Sequence, residues 1–270
     1  MFAVGTLCSS RSSRMIGALS VLAWVMLTGL VVNLVGVAVV GLPPSLSAAT
    51  VAWMLVAGAG NVGGLALSYT ALRNGKVALV APITSTEGAI AAVVAVLSGE
   101  PLGLAAAAIL VVIVCGVALA AAAPEELPVE GERKALAASL ACGAAVAFGV
   151  SLFAVGHISG ELTLPWVLLP PRLIGVAVVT IPMALTRRLR ITRPAVALVV
   201  AGGLCEVAGF TSYSIGARHS IAVAAVLVSQ FAVIAALGAY VLFRERLTRL
   251  QLGGVAIVVV GVAALSLARA

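Results

Sequence analysis

Nine stretches of this chain run for about twenty residues or more with at most one charged side chain in each. They cover about 16–41, 50–72, 77–98, 103–123, 135–156, 163–185, 195–216, 220–243 and 249–268. A helix of about twenty apolar residues matches the hydrocarbon thickness of a bilayer. A chain built from nine of them folds in lipid or not at all. Composition agrees. Of 270 residues, 63% are hydrophobic and 9% charged, with a mean hydropathy of +1.24. Soluble domains carry about 45–50% apolar and about 25% charged residues. There is too little charge here to coat a water-facing surface, which excludes a soluble enzyme, a nucleic-acid binder and a disordered regulator.

The connectors are short, so no extramembrane domain is expected. The longest polar gap, Pro124 to Lys134, holds four Glu, one Arg and one Lys and divides the chain into 1–123 and 135–270, with 124–134 as linker. Before the first span lies Met1–Cys8, followed by Ser9-Ser10-Arg11 as a connector. Eight residues cannot cross a bilayer. The start of the chain does not read as a cleavable signal peptide.

The two halves resemble each other at a constant offset. At a spacing of 145, Val62 meets Val207, Gly64 meets Gly209, Arg73 meets Arg218, Glu100 meets Glu245 and Leu102 meets Leu247. Gly116-Val117-Ala118 meets Gly261-Val262-Ala263, and at 146 Phe2 meets Phe148 and Val4 meets Val150. In so apolar a chain the Arg, Glu and Gly matches carry the weight. The second half holds five spans; the first holds four and the initial segment. That segment is therefore expected to be the second half of a helix, which about a dozen further apolar residues upstream would complete. Five helices per repeat is odd, so the second copy enters the membrane from the opposite side. The expected fold is an all-α polytopic membrane protein of two inverted five-helix repeats, with nine full transmembrane helices and a partial first one. Many secondary transporters share that design, with the substrate site near the bilayer midplane.

Net charge is +7, which in this setting reads as loop charge. Thirteen of the 16 basic residues fall in alternate connectors: Arg11, Arg14, Arg73, Lys76, Arg133, Lys134, Arg187, Arg188, Arg190, Arg193, Arg244, Arg246 and Arg249. Only Arg218 and Arg269 fall on the other side, and Arg172 lies inside a span. The positive-inside rule places the basic connectors in the cytoplasm and the C-terminus outside, in the plasma (inner) membrane.

Charges within a span are costly and usually functional. There are three at mid-depth: Glu87, Arg172 and Glu206. Asn61 and Gln230 lie at the same level. At the 145 spacing Asn61 is the repeat-mate of Glu206, and Ser85 of Gln230. Five polar residues from five spans point to a shared central cavity. The backbone there is interruptible. One span reads Pro82-Ile83-Thr84-Ser85-Thr86-Glu87-Gly88, and another holds Pro165, Pro170, Pro171 and Pro182 around Arg172. Proline removes a helix hydrogen bond, which lipid tolerates only where neighbouring groups or cavity water satisfy the freed carbonyl. Two readings of the charges stand. Arg172 and one Glu form a fixed ion pair that locks two helices, or Glu206 or Glu87 takes up and releases a proton as its exposure alternates. Two Glu and one Arg leave one acid uncompensated, for a proton or a cationic substrate group.

Other signals read as structural. Cys8, Cys115, Cys142 and Cys205 form no Cys-x-x-Cys and read as small packing residues. Gly60-x-x-x-Gly64 and Gly143-x-x-x-Ala147 read as close packing inside the bundle. Trp24, Trp53 and Trp166 include interfacial anchors, His157 reads as an exposed boundary residue beside Glu161, and Arg187-Arg188-x-Arg190 as an orientation determinant. Glu100 and Glu245 recur at equivalent places and are expected to cap the next helix.

Taken together these residues resemble the EamA-like branch of the drug/metabolite transporter superfamily. The resemblance rests on Tyr69-Thr70-Ala71-Leu72-Arg73-Asn74-Gly75, on Val77-Ala78-Leu79-Val80-Ala81-Pro82, and on Gly99-Glu100. The second copy is Tyr213-Ser214-Ile215-Gly216-Ala217-Arg218, Ser229-Gln230-Phe231 and Arg244-Glu245-Arg246-Leu247, with Ala232 where Pro is common. It covers essentially the whole chain. It implies ten helices in two inverted repeats that move small metabolites, amino acids or toxic compounds, usually outward. The site expectation is Glu87, Arg172, Glu206, Asn61, Gln230, Ser85 and Ser229, framed by Tyr69, Pro82, Glu100, Tyr213 and Glu245. The expected partners are a small-molecule substrate and the bilayer, with no cofactor, metal or nucleic acid. The alternatives are a polytopic membrane enzyme on a lipid-linked substrate and a non-transporting membrane partner. Without a phosphate-binding Gly-x-x-x-x-Gly-Lys-Ser/Thr the chain does not read as an ATP-driven pump.

Overall fold

The computed structural model describes residues 1–43, 45–121, 133–231, 234 and 249–267. Among these residues every regular element is helical. In chain order they are α1 (Phe2–Ile16), α2 (Ala18–Val40), α3 (Ala48–Asn74), α4 (Val77–Ser85), α5 (Glu87–Leu97), α6 (Leu104–Ala121) and α7 (Lys134–Ser159). Then come α8 (Leu164–Gly175), a π-helical segment (Val176–Thr180), α9 (Ile181–Leu185), α10 (Arg193–Ala217), α11 (Ile221–Val228) and α12 (Arg249–Leu267). Among the described residues six stretches are long and apolar enough to cross a membrane: Ala18–Val40, Ala48–Asn74, Leu79–Leu97, Lys134–Ser159, Leu164–Leu185 and Arg193–Ala217. They correspond to six of the expected spans. A helix also forms at 103–123, although its apolar part, Leu104–Gly116, is shorter. Most of 124–134 and the second half of 220–243 lie outside the described residues.

One boundary differs from the sequence reading. Ser9-Ser10-Arg11, expected as a connector, belongs to α1, which continues to Ile16. The chain turns at Gly17, whose φ of 89° suits glycine. The serines stay helical because they face the bundle interior. Ser9, Ser10, Ser12 and Ser13 are buried, and Ser12 donates to the Cys8 carbonyl at 2.7 Å. A hydroxyl that bonds back into its own helix needs no outside partner.

Small residues decide which helices meet. α3 packs along α7, α1 along α10, and α6 along α12. A Cβ on Gly60 would lie 2.8 Å from the Ala147 carbonyl oxygen, and one on Gly64 would lie 2.5 Å from the Phe148 ring. The Gly60-x-x-x-Gly64 and Ala147 surfaces thus pack on each other inside the bundle, and Ser151 adds a 2.8 Å bond to the Ala57 carbonyl.

The two ends of the bundle differ chemically. At one end Arg14 donates to the Gly75 carbonyl at 3.0 Å, the Arg133 amide to Asn74 O at 3.1 Å, and the Trp24 indole to Arg190 O at 3.0 Å. These bonds gather connectors that also carry Arg73, Lys76 and Lys134. At the other end Arg218 holds the carbonyls of Ser159 and Leu162 at 2.8 and 3.1 Å. Thr50 donates to Glu161 at 3.0 Å and Trp166 to Gly41 O at 2.9 Å. His157 is exposed here, its ring 5.0 Å from that of Trp53.

Candidate functional site

Three of the predicted polar residues form one chain of contacts. Arg172 Nη1 donates to Glu206 Oε2 at 2.7 Å, and Asn61 Nδ2 donates to Glu206 Oε1 at 3.3 Å. This ties α8, α10 and α3 together. All three side chains are buried; Arg172 is 1% exposed and Asn61 0%. The guanidinium is one of the largest fully buried groups, and small neighbours make its space. A Cβ on Gly29 would stand 2.7 Å from Arg172 Nε. Met26 lends a weak sulfur acceptor at 3.8 Å. Two atoms of the group keep no hydrogen bond, Arg172 Nε and Asn61 Oδ1.

The local sequence explains how Arg172 reaches this place. It follows Pro170-Pro171 inside α8, two residues that give no backbone N–H to the preceding turn. The helix recovers through the π-helical turn Val176–Thr180, and the Thr180 hydroxyl donates to the Ala23 carbonyl at 3.1 Å.

Glu87 stands at the break between α4 and α5. Thr86 interrupts the helix, with its amide bonded to Ile83 O at 3.2 Å and its hydroxyl to the same carbonyl at 2.8 Å. Thr84 donates to Val80 O and Ala81 O, each at 3.0 Å. These hydroxyls thus bond to the carbonyls of Val80, Ala81 and Ile83, on either side of Pro82. Glu87 opens α5 and is 7% exposed. Among the described residues it makes no hydrogen bond and no ion pair.

A second break crosses the first. α11 ends at Val228, and Ser229 and Gln230 form a turn before Phe231. A Cβ on Gly88 would collide with Ser229 Oγ and with the Ala225 carbonyl, so only glycine lets the two broken helices touch. Ser229 is buried and donates to Ala225 O at 3.1 Å. Ser85 is buried on the last turn of α4.

Glu87 and Glu206 line one cavity of about 60 Å³, room for a few waters. Its walls also carry Tyr69 and Phe2, Phe148, Phe210 and Phe231. Asn61, Arg172, Ser85, Ser229 and Gln230 do not line it. Gln230 lines a neighbouring cavity beside Tyr213, and its amide donates to Val226 O at 3.2 Å. Tyr213 donates to the Leu152 carbonyl at 2.7 Å.

Glu100 caps a helix, although not the following one. It accepts from Ser220 Oγ at 2.5 Å and from the Ala222 amide at 3.2 Å, at the N-terminus of α11. The first half of the chain therefore closes a helix of the second. Glu245, its repeat-mate, lies outside the described residues. Cys115 and Cys142 are exposed; Cys8 and Cys205 are half-buried.

The sequence reading did not single out the four phenylalanines or Gly29. In an apolar span a Phe carries no signal of its own. The available hint was the alignment of Phe2 with Phe148 and of Gly64 with Gly209. Each ring sits on the glycine of the other helix pair: Phe148 on Gly64, and Phe2 on Gly209, where a Cβ would stand 2.7 Å from the ring.

A bundle with six membrane-length helices and ionised groups buried at its centre is a multi-pass membrane protein. Residues 1–122 match the model of the EamA-like transporter family. A solved crystal structure of a protein aligns over 98% of this chain and 94% of its own, with a TM-score of 0.71 and 18% identity. At that identity it speaks for the fold alone. No curated protein matches the chain.

Proposed function

We propose that the chain is a secondary transporter that exports a small metabolite, amino acid or drug by alternating access, with Glu87 as its proton-coupling carboxyl. The carrying observation is the unequal treatment of two carboxylates in one cavity. Glu206 has Arg172 at 2.7 Å and Asn61 at 3.3 Å, whereas Glu87 has no partner among the described residues. A buried charge is costly unless paired. Glu206 is therefore the fixed member, and Glu87 is open to a proton or to a ligand. In this reading Asn61, Arg172 and Glu206 hold the framework. Ser85, Ser229 and Gln230 shape the two helix breaks, and discontinuous helices are where such transporters place their sites.

The same reading takes residues 1–123 and 135–270 as inverted five-helix repeats in the inner membrane, with basic connectors in the cytoplasm. It is supported by the reciprocal packing of α3 on α7 and α1 on α10, and by the segregation of basic connectors to one end. The test is flux into proteoliposomes of the common L-amino acids and of ethidium, with and without a pH gradient. Gradient-driven flux of at least one probe by the wild type, lost in Glu87→Gln, is expected. Full gradient-driven flux in Glu87→Gln rejects Glu87 as the coupling group, and flux that persists in Glu206→Gln but no longer responds to the pH gradient would move the coupling role to Glu206.

A further inference from the structure

Arg187, Arg188, Arg190 and Arg193 crowd into residues 187–193, between α9 and the first turn of α10. All four are exposed, and among the described residues none has an ion pair. The glutamates among those residues lie elsewhere. Glu87 and Glu206 are buried in the bundle, and Glu100 and Glu161 hold Ser220 and Thr50 at the opposite end. The arginine charge of this connector is therefore left for something outside the described chain to answer.

The connector is held in place. α9 closes in a Schellman turn: the Arg187 amide donates to Ala184 O at 3.1 Å and the Arg188 amide to Met183 O at 2.9 Å. The left-handed position of such a turn usually goes to glycine. Here Arg187 takes it at φ 53°, the one non-glycine with positive φ among the described residues. α2 then grips Arg190 from both sides. Ser20 Oγ accepts from its amide at 3.3 Å, and the Trp24 indole donates to its carbonyl at 3.0 Å. A backbone fixed in advance spares the cost of ordering it around a ligand. An indole at a bundle end marks the headgroup level of a bilayer. Beside the arginines the helices expose apolar residues: Val178, Ile181 and Leu185 before the connector, Val196 and Val200 after it. One surface thus offers cations at headgroup level and apolar side chains at acyl level. A soluble anion would use only the first. We infer that residues 187–193 form a binding site for an anionic phospholipid, its phosphate among the arginines and its acyl chains along α9 and α10. Four unanswered cations favour a headgroup with two phosphates over one with a single phosphate. This goes beyond orientation, which needs basic residues in number but not in this seat. It does not rest on the transport reading.

The experiment is native mass spectrometry of the full chain, delipidated in detergent and titrated with cardiolipin, phosphatidylglycerol or phosphatidylcholine. Cardiolipin is expected to bind about tenfold or more tighter than phosphatidylcholine, with phosphatidylglycerol between them. Arg188→Gln with Arg190→Gln is expected to weaken cardiolipin about tenfold or more. Arg11→Gln with Arg73→Gln removes the same charge from other connectors and is expected to leave binding within about twofold. Trp24→Phe, which removes the indole bond to Arg190, is expected to weaken it less than the arginine pair does. Equal binding of cardiolipin and phosphatidylcholine, unchanged binding in the Arg188/Arg190 variant, or the same loss in both pairs overturns the assignment. Displacement of cardiolipin by millimolar inorganic phosphate would also overturn it, since that result marks a plain anion patch. Equal binding of phosphatidylglycerol and cardiolipin would keep the site and reject the two-phosphate headgroup. The wild-type comparison decides even if a variant fails to fold.

Discussion

Asn61 and Glu206, 145 residues apart, are hydrogen-bonded to each other at 3.3 Å in the centre of the bundle. The same number is the offset at which the two halves of the sequence align. Residues that align with each other and also touch lie where the axis relating the two halves would pass. On the two-repeat reading this contact would mark that axis, and Arg172 approaches it from one side only.

Removing one member of this group should cost more than removing two. Arg172→Met leaves Glu206 buried with a charge and only Asn61 to answer it, for a loss of about 3–5 kcal/mol. Arg172→Met with Glu206→Met should recover most of that loss. Thermal unfolding in detergent measures both, and equal midpoints for the single and double variants would contradict the ion-pair account.

Gly29 should tolerate no side chain. Gly29→Ala places a carbon 2.7 Å from Arg172 Nε and must move the guanidinium or α2. A loss of about 1–3 kcal/mol is expected, as for other overpacked cores. In the Arg172→Met background the same substitution should cost much less, read by the same unfolding assay.

Two glycine contacts should differ in whether they can be rescued. Gly64→Ala meets the Phe148 ring, a side chain, so Phe148→Leu should restore part of the lost stability. Gly88→Ala meets the Ala225 carbonyl as well as Ser229 Oγ, so Ser229→Ala should restore little. Folded yield after detergent extraction distinguishes the pairs.

Glu100→Ala should free the start of α11. The lost bonds are those from Ser220 and the Ala222 amide, at 2.5 and 3.2 Å. A loss of about 1 kcal/mol is expected, the usual size for a helix cap. Hydrogen exchange should rise at 221–224 and stay unchanged in α6, the helix that follows Glu100 in the chain.

The orientation proposed from the basic connectors can be checked with a fusion. A reporter active only in the cytoplasm, joined after Ala270, should stay silent, whereas one inserted in the 187–193 connector should be active. The opposite pattern would reverse the topology.

Much of the centre was legible because polarity is rare in this chain. Glu87, Arg172, Glu206 and Asn61 stand out against uninterrupted apolar residues, and the Pro82–Thr86 run announced a helix break. The partner of Glu100 was not legible, since the sequence showed a recurring acid but not that its helix ends beside α11. The turn at Gly17 was hidden because glycine is common throughout the spans and only its backbone angle sets it apart. The phenylalanine wall was hidden for a similar reason. An aromatic side chain in a hydrophobic helix looks the same whether it faces lipid, a neighbour or a cavity.

On the two-repeat reading, the Asn61–Glu206 bond also carries a mark of history. In a symmetric pair of identical single-repeat chains, each residue on the axis would face its own copy. Two glutamates there would repel, and two asparagines would bring no charge to hold an arginine. An Asn facing a Glu, with one Arg on one side, is open to a chain that holds both halves and can change them separately. On that reading the centre of this protein would be the place where its two halves had to diverge.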